Sequence, residues 1–171
     1  MEEKIRKFIE SRFAESVLDE TSFRNEQSFY IKPDILVDLC DGLMSEPELE
    51  YVCLKDITAI DWLNHSEESK GRFEVVYNLY SLKNLHRVFL KVRLEGENPS
   101  INSLTALWRG ANWMERELWD LMGIDFVGHP DLTKILTPDD LEGHPLRRDY
   151  PLTYEVPQFT WNKNDPPEVI K

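Results

Sequence analysis

The chain is poor in glycine, with 7 in 171 residues, and those few are scattered. It contains neither a Walker A loop nor GxGxxG, so no glycine-rich phosphate cradle is legible. GxSxG and HExxH are also missing, which removes a common hydrolase elbow and the zincin helix. Cysteine is scarce as well. Cys40 and Cys53 are the only two; they cannot frame a disulfide scaffold, and without a CxxC spacing they do not mark a zinc or iron–sulfur site. Both read as small core hydrophobes. No apolar run is long enough to span a bilayer, and the first residues, MEEKIRKFIESRF, mix both charges every few positions. The expectation is a cytosolic, reduced chain. Positive charge is in deficit, with 20 Lys and Arg against 32 Asp and Glu and a net charge of -12. Such a field repels polyanions, which disfavours free nucleic-acid binding and direct contact with anionic lipid.

What is present is globular. A chain that is 41% hydrophobic over 171 residues suffices for one domain, at most two small ones. Ile5, Phe8, Ile9 and Phe13 carry the spacing of an amphipathic helix. A polar break over residues 19–25 ends it, and residues 28–32 form a short strand candidate. Pro33 then opens a second helix, in which Leu36, Leu39, Cys40 and Leu43 repeat the helical spacing. From residue 51 the period changes to two. Residues 51–62 are rich in strand formers, Phe73, Val75, Tyr77 and Leu79 alternate with Arg72, Glu74, Val76 and Asn78, and Val88, Leu90, Val92 and Leu94 alternate with Arg87, Phe89, Lys91 and Arg93. A short connection around Lys83 and Asn84 makes the last two runs a hairpin. The pattern predicts an α+β, two-layer sandwich: N-terminal helices on a mostly antiparallel meander of three or four strands.

After Pro99, Ser103 is placed to cap a helical turn, and Asn112 to cap a helix that ends at Met122 before Gly123. From residue 127 onward Pro130, Pro138, Pro145, Pro151, Pro157, Pro166 and Pro167 exclude any long regular element. Yet Leu132, Ile135, Leu136, Leu141, Leu146, Phe159 and Trp161 are too apolar for a solvated tail. The expected division is a core domain over 1–126 and an extended segment over 127–171 that lies against a partner.

Residue types suited to chemistry are densest over 112–136. On a helical wheel Met114, Leu118, Leu121 and Met122 share one sector, with Arg116 and Asp120 opposite as an i, i+4 pair and Glu115 and Glu117 on the rims. The plain alternative is a solvated charged face; the sharper one is an interface helix whose carboxylates engage a partner's basic residues. His129 and His144 stand in similar phrases, VGHPDL and EGHPL. A metal site would add Asp131, Asp139, Asp140 or Glu142, but a GHP turn is more simply a rigid bend. Arg147 and Arg148 read either as a surface salt-bridge cluster or as a clamp on a partner's carboxylates. Lys83, Arg87, Lys91 and Arg93 give residues 75–94 four positive charges and no negative one, which favours an acidic neighbour.

The run ERELWDLMGIDFVGHPDLTKIL followed by LTPDDLEGHPLRRDYPL closely resembles the signature of the thirty-kilodalton subunit family of respiratory complex I. Glu115, Arg116, Glu117, Asp120, Leu121, Met122, His129, Ile135 and Leu136 fall at the family's spacing. Thr133 departs from it, standing where the family has a basic residue or proline; Lys134 lies beside it. The resemblance is strong over about 104–154. It implies a peripheral-arm component of the proton-translocating NADH:quinone oxidoreductase, on the cytoplasmic side of a bacterial inner membrane, reaching the membrane only through the complex. Its C-terminal segment would wrap over the forty-nine-kilodalton-type quinone-site subunit, near iron–sulfur subunits. It implies no cofactor and no catalytic site on this chain, with flavin, iron–sulfur clusters and quinone held by partners. The signature residues, together with Lys134, His144, Arg147, Arg148, Asp149 and Tyr150, are then the expected interface. Related subunits serve group 4 membrane-bound hydrogenases, formate hydrogenlyases and ferredoxin-dependent complexes. From a different class, a free hydrolase would use Glu115 or Glu117 with His129. Acidity is uneven: residues 1–74 carry 18 acidic and 9 basic residues, and residues 75–171 carry 14 and 11. The more balanced half is the one suited to burial against partners.

Overall fold

In the computed structural model, which describes residues 1–24 and 26–152, the first apolar stripe lies on α1 (Glu2–Phe13), with Ile5, Phe8 and Ile9 buried. Glu2 and Glu3 in its first turn and Arg12 in its last complement the helix dipole. Pro33 opens a single 3-10 turn that runs into α2 (Leu36–Ser45), where Leu36, Leu39, Cys40 and Leu43 are buried. The two helices approach closely at Gly42, where a Cβ would stand 2.8 Å from the Phe8 ring.

Five strands form the main sheet: β1 (Val17–Phe23), β2 (Glu26–Ile31), β3 (Cys53–Asp61), β4 (Phe73–Ser81) and β5 (His86–Leu94), in the order β1-β2-β5-β4-β3. The expected hairpin is β4 with β5, Val75 opposite Val92 and Tyr77 opposite Leu90. The alternating residues of these strands share one core with both N-terminal helices, so the architecture is the two-layer α+β sandwich. Two details differ from the expected meander. The sheet has five strands, and one pairing, β2 with β5, is parallel. The polar stretch at 19–23 is an edge strand, paired antiparallel to β2 with Glu20 opposite Phe29. None of its residues is buried, so it carries no alternation to read; its charges and an irregular register after Val17 also blunt the edge against further pairing.

The basic run of β5 and its hairpin meets acids of this same chain. Lys83 pairs with Glu50, Arg87 with Glu26 at 2.9 Å, and Arg93 with Glu74 at 2.7 Å while lying 4.8 Å over the Trp62 ring. The acidic neighbour that its charge called for is thus internal.

A second, two-stranded sheet follows, packed into the same core. Two three-residue strands, β6 (Ser100–Asn102) and β7 (Asp125–Val127), pair in parallel, with α3 (Ala111–Met122) between them in sequence and Ile101 opposite Phe126. Strands this short carry no readable period. Ser103 accepts the Thr105 N–H at 3.1 Å, capping the turn as expected. Asn112 does not cap α3; the helix grows directly from that turn, through Trp108 N–H to Leu104 O and Ala111 N–H to Trp108 O. From 128 to 152 the chain contains turns and no helix or strand. Pro157, Phe159, Trp161, Pro166 and Pro167 lie outside the described residues. Among the described residues no helix is long and apolar enough to cross a membrane.

Candidate functional site

Helix α3 ends where a helix must leave its last carbonyls without internal partners. Gly123 takes the left-handed conformation, φ 69°, and returns its N–H to Trp119 O. The segment 144–147 satisfies the rest. His144 Nδ1 donates to Asp120 O at 2.9 Å, Leu146 N–H to Leu121 O at 3.0 Å, and Arg147 Nε to Met122 O at 2.7 Å and Nη2 to Gly123 O at 3.3 Å. A carbonyl only accepts, so the His144 proton sits on Nδ1. The guanidinium adds a positive charge at the negative end of the helix. A Cβ on Gly123 would come within 2.5 Å of both Arg147 and His144. Gly123→Ala is therefore expected to cost about 2 kcal/mol or more through backbone strain and the displaced cap, measured by urea unfolding, with faster tryptic cleavage after Arg147.

The outer side of α3 grips the preceding stretch. Arg116 donates from Nε to Thr133 O and from Nη2 to Lys134 O, both at 3.1 Å. Asp120 Oδ2 accepts the N–H groups of Ile135, Leu136 and Thr137 at 3.0, 2.8 and 3.0 Å, and its Oδ1 accepts the Thr137 hydroxyl. Arg116 and Asp120 thus bind the 133–137 backbone and not each other, contrary to the expected i, i+4 pair; an incoming chain offers each of them fixed partners that solvent does not. Burial alone would raise the Asp120 carboxyl, but these hydrogen bonds outweigh it and hold it at about 2. Lys134 closes the next turn, its ammonium on the carbonyls of Pro138, Asp139 and Leu141.

The two rim carboxylates part company. Glu115 is fully buried, accepting the Ser103 hydroxyl at 2.6 Å and the Leu104 N–H at 2.7 Å; burial pushes its carboxyl up, with these hydrogen bonds working the other way. Glu117 is exposed. His129 accepts the Asp131 N–H on Nδ1 at 3.0 Å and reaches Asn112 O from Nε2 at 3.2 Å, so it staples the β7 exit to the start of α3. Both its ring nitrogens and both Glu115 oxygens are engaged structurally, which leaves no acid–base pair for the hydrolase alternative. Among the described residues no three His, Cys, Asp or Glu side chains gather as a metal site.

A second anchor lies at the sheet. Asp61 at the end of β3 takes a bidentate bond from Arg72, 3.1 Å to each oxygen, and the Arg148 N–H at 3.0 Å. Arg72 also meets Glu97 at 2.6 Å and Asp149 at 2.8 Å. The side chains of Arg72 and Asp61 are 6% and 1% exposed, so this is a buried pair. Arg72 and Arg147 both lie over the Phe73 ring, at 4.8 and 5.2 Å, which ties the sheet anchor to the α3 cap. Tyr150 closes the turn, its N–H on Arg147 O at 3.0 Å and its hydroxyl donating to Glu142 O at 3.3 Å. Of the expected site residues, Arg116, Asp120, Lys134, His144, Arg147 and Asp149 come together as one internal framework that lays 133–149 on α3 and the sheet. The Arg148 side chain is exposed. Asp61 and Arg72 complete this framework and were not singled out from sequence, whereas Gly123 ends the helix as its place after Met122 indicated. The only sequence signal of Asp61 and Arg72 is an acid and a base at the facing ends of neighbouring strands.

The model of the family "Respiratory-chain NADH dehydrogenase, 30 Kd subunit" matches residues 29–156. The chain is 44% identical over 156 residues to the NADH-quinone oxidoreductase C subunit of Roseiflexus castenholzii, covering 91% of this chain and 87% of that one. It is 44% identical over 144 residues to the protein of the same name from Geobacter sulfurreducens, covering 84% and 86%. Among solved structures it is similar to a trypsin-resistant fragment of Nqo5, with a TM-score of 0.62 and 29% identity over 77% of this chain and 100% of the fragment. It also shares its fold, at a TM-score of 0.72 and 21% identity over 89% of this chain and 86% of the other, with a chain of a membrane-bound sulfane sulfur reductase, an archaeal respiratory membrane complex.

Proposed function

Because the chain belongs to the 30 Kd subunit family of respiratory-chain NADH dehydrogenase, we propose that residues 1–126 form its core domain and that it carries residues 127–171 onto the forty-nine-kilodalton-type quinone-site subunit of the complex. It is a subunit of the NADH:quinone oxidoreductase, complex I, an enzyme complex associated with a membrane. On this proposal it lies on the cytoplasmic side and supplies no catalytic group. Flavin, iron–sulfur clusters and quinone belong to neighbouring subunits, and this chain contributes assembly and rigid positioning.

The observation that supports this most is the use made of α3. Arg116, Asp120 and the helix's last carbonyls are spent on holding residues 133–147 in one conformation. A segment without helix or strand that is fixed this way is preorganised, so presenting it to a neighbour costs little further ordering. The fold alone does not choose an electron donor, since the sulfane sulfur reductase chain shares it; the relatives at 44% identity favour NADH.

The test is to purify the complex from membranes through a tag on this chain, identify its components by mass spectrometry and assay NADH-to-quinone electron transfer. Flavin-binding, iron–sulfur and forty-nine-kilodalton-type proteins are expected together with NADH-dependent turnover, and cross-links from residues 127–171 to the forty-nine-kilodalton-type protein. Recovery of nickel hydrogenase proteins, turnover with reduced ferredoxin alone, or the tagged chain on its own would overturn the proposal.

A further inference from the structure

While its polar residues hold the chain's own backbone, α3 leaves another surface outward. Trp113 is 62% exposed, Leu136 62% and Leu146 57%. Single exposed apolar side chains need no explanation, but these three are tied to one helix. Leu136 hangs from Asp120 and Leu146 from the Leu121 carbonyl, each by its own N–H. Trp113 and Glu117, four residues apart, share a helical face. The Trp113 ring is also braced, with the Arg116 guanidinium 5.1 Å above it and fixed in turn to Thr133 and Lys134 carbonyls. Large, rigid aromatic side chains of this kind dominate binding energies because little freedom is lost when they dock.

The exposed charges over residues 113–149 are mainly acidic, with Arg148 the one basic exception. Arg116 and Lys134 turn their donors inward onto carbonyls, while Glu117, Asp131, Asp139, Asp140 and Glu142 are exposed. We infer that Trp113, with Glu117 one turn along the same face of α3, anchors a preformed docking surface for a basic protein neighbour, one that offers an apolar slot to the indole and Lys or Arg opposite Glu117. The inference rests on the proposal that the chain is built into a multisubunit complex, and it names the chemistry of the neighbour. An anionic lipid surface is repelled by the acidic rim. A second copy docked through the same patch sets acid against acid.

The experiment uses the assembled complex with p-benzoylphenylalanine in place of Trp113 and a tag on this chain. On irradiation, a cross-link to a net-basic segment of another protein of the complex is expected. A cross-link to lipid, to a second copy or to residues 153–171 of this chain, or no cross-link from an assembled complex, would overturn the inference. If no other protein is recovered with the tagged chain, the underlying proposal falls with it, which separates the two failures. In parallel, Trp113→Ala and Glu117→Lys are made in the full chain. Release of the chain from the complex during a salt wash is expected to be roughly 30-fold faster for Trp113→Ala, with a clear acceleration for Glu117→Lys. Melting of the isolated chain should stay unchanged, because both side chains are exposed. Retention equal to the unaltered chain in both variants would also overturn it.

Discussion

Asp61→Ala is expected to be the most destabilising single change in this chain, at about 3–5 kcal/mol. The carboxylate is 1% exposed and holds Arg72, itself 6% exposed, through two bonds of 3.1 Å. Removing it takes the bidentate partner from a buried guanidinium, leaving it only the more exposed Glu97 and Asp149, and also frees the Leu63 and Arg148 N–H groups that it accepts. For a chain of this length the loss corresponds to a fall in melting temperature on the order of 10 °C. Because Arg148 loses its tether, tryptic cleavage after Arg147 and Arg148 should accelerate alongside the unfolding shift. The paired replacement of Asp61 by Leu and Arg72 by Met should recover part of the stability, since it removes the buried guanidinium together with its bidentate partner. A loss below about 1 kcal/mol for Asp61→Ala would place the pair in the class of weak surface bridges and contradict its burial.

Asp120→Asn is expected to lose about 3 kcal/mol at neutral pH, because a charged acceptor shared by three backbone N–H groups and a hydroxyl becomes a neutral amide with one acceptor oxygen. The pH dependence identifies the cause. Burial works against the Asp120 carboxylate, and its hydrogen bonds bring it from an ordinary 3.8 to about 2. A carboxyl lowered on folding contributes stability that is complete above its unfolded value and disappears as pH falls through the folded value. Here that window runs from about 3.8 down to about 2 and is worth about 2 kcal/mol. Unfolding by urea from pH 5 to pH 2 should show this acid-side slope in the unaltered chain and a shallower one in Asp120→Asn. Equal slopes would mean that the carboxylate is not the group holding residues 135–137. Glu115 acts in the opposite sense: burial raises its carboxyl, so its contribution weakens as pH rises through the folded value, and it cannot mimic the Asp120 signal.

The sequence by itself determined the layers of this protein. The helical spacing of Ile5, Phe8 and Ile9 and the two-residue period of β4 and β5 are local consequences of backbone geometry, and burial followed them residue by residue. It also located the dense stretch at 112–136, through residue types that matched a known signature. Edge strand β1 stayed hidden because a strand wet on both faces has no period, and β6 and β7 because three residues hold none.

What only the tertiary structure decided is the direction in which the polar residues of that stretch point. On a wheel, Arg116 and Asp120 are neighbours four positions apart, and Glu115 and Glu117 are equivalent rims. In the fold, the segment returning at 133–147 supplies unpaired carbonyls and N–H groups to the first pair, and the turn at 103–104 buries one rim while leaving the other in solvent. A wheel knows only its own helix. A buried backbone group must find a partner, and which side chain it finds depends on where a distant part of the chain returns.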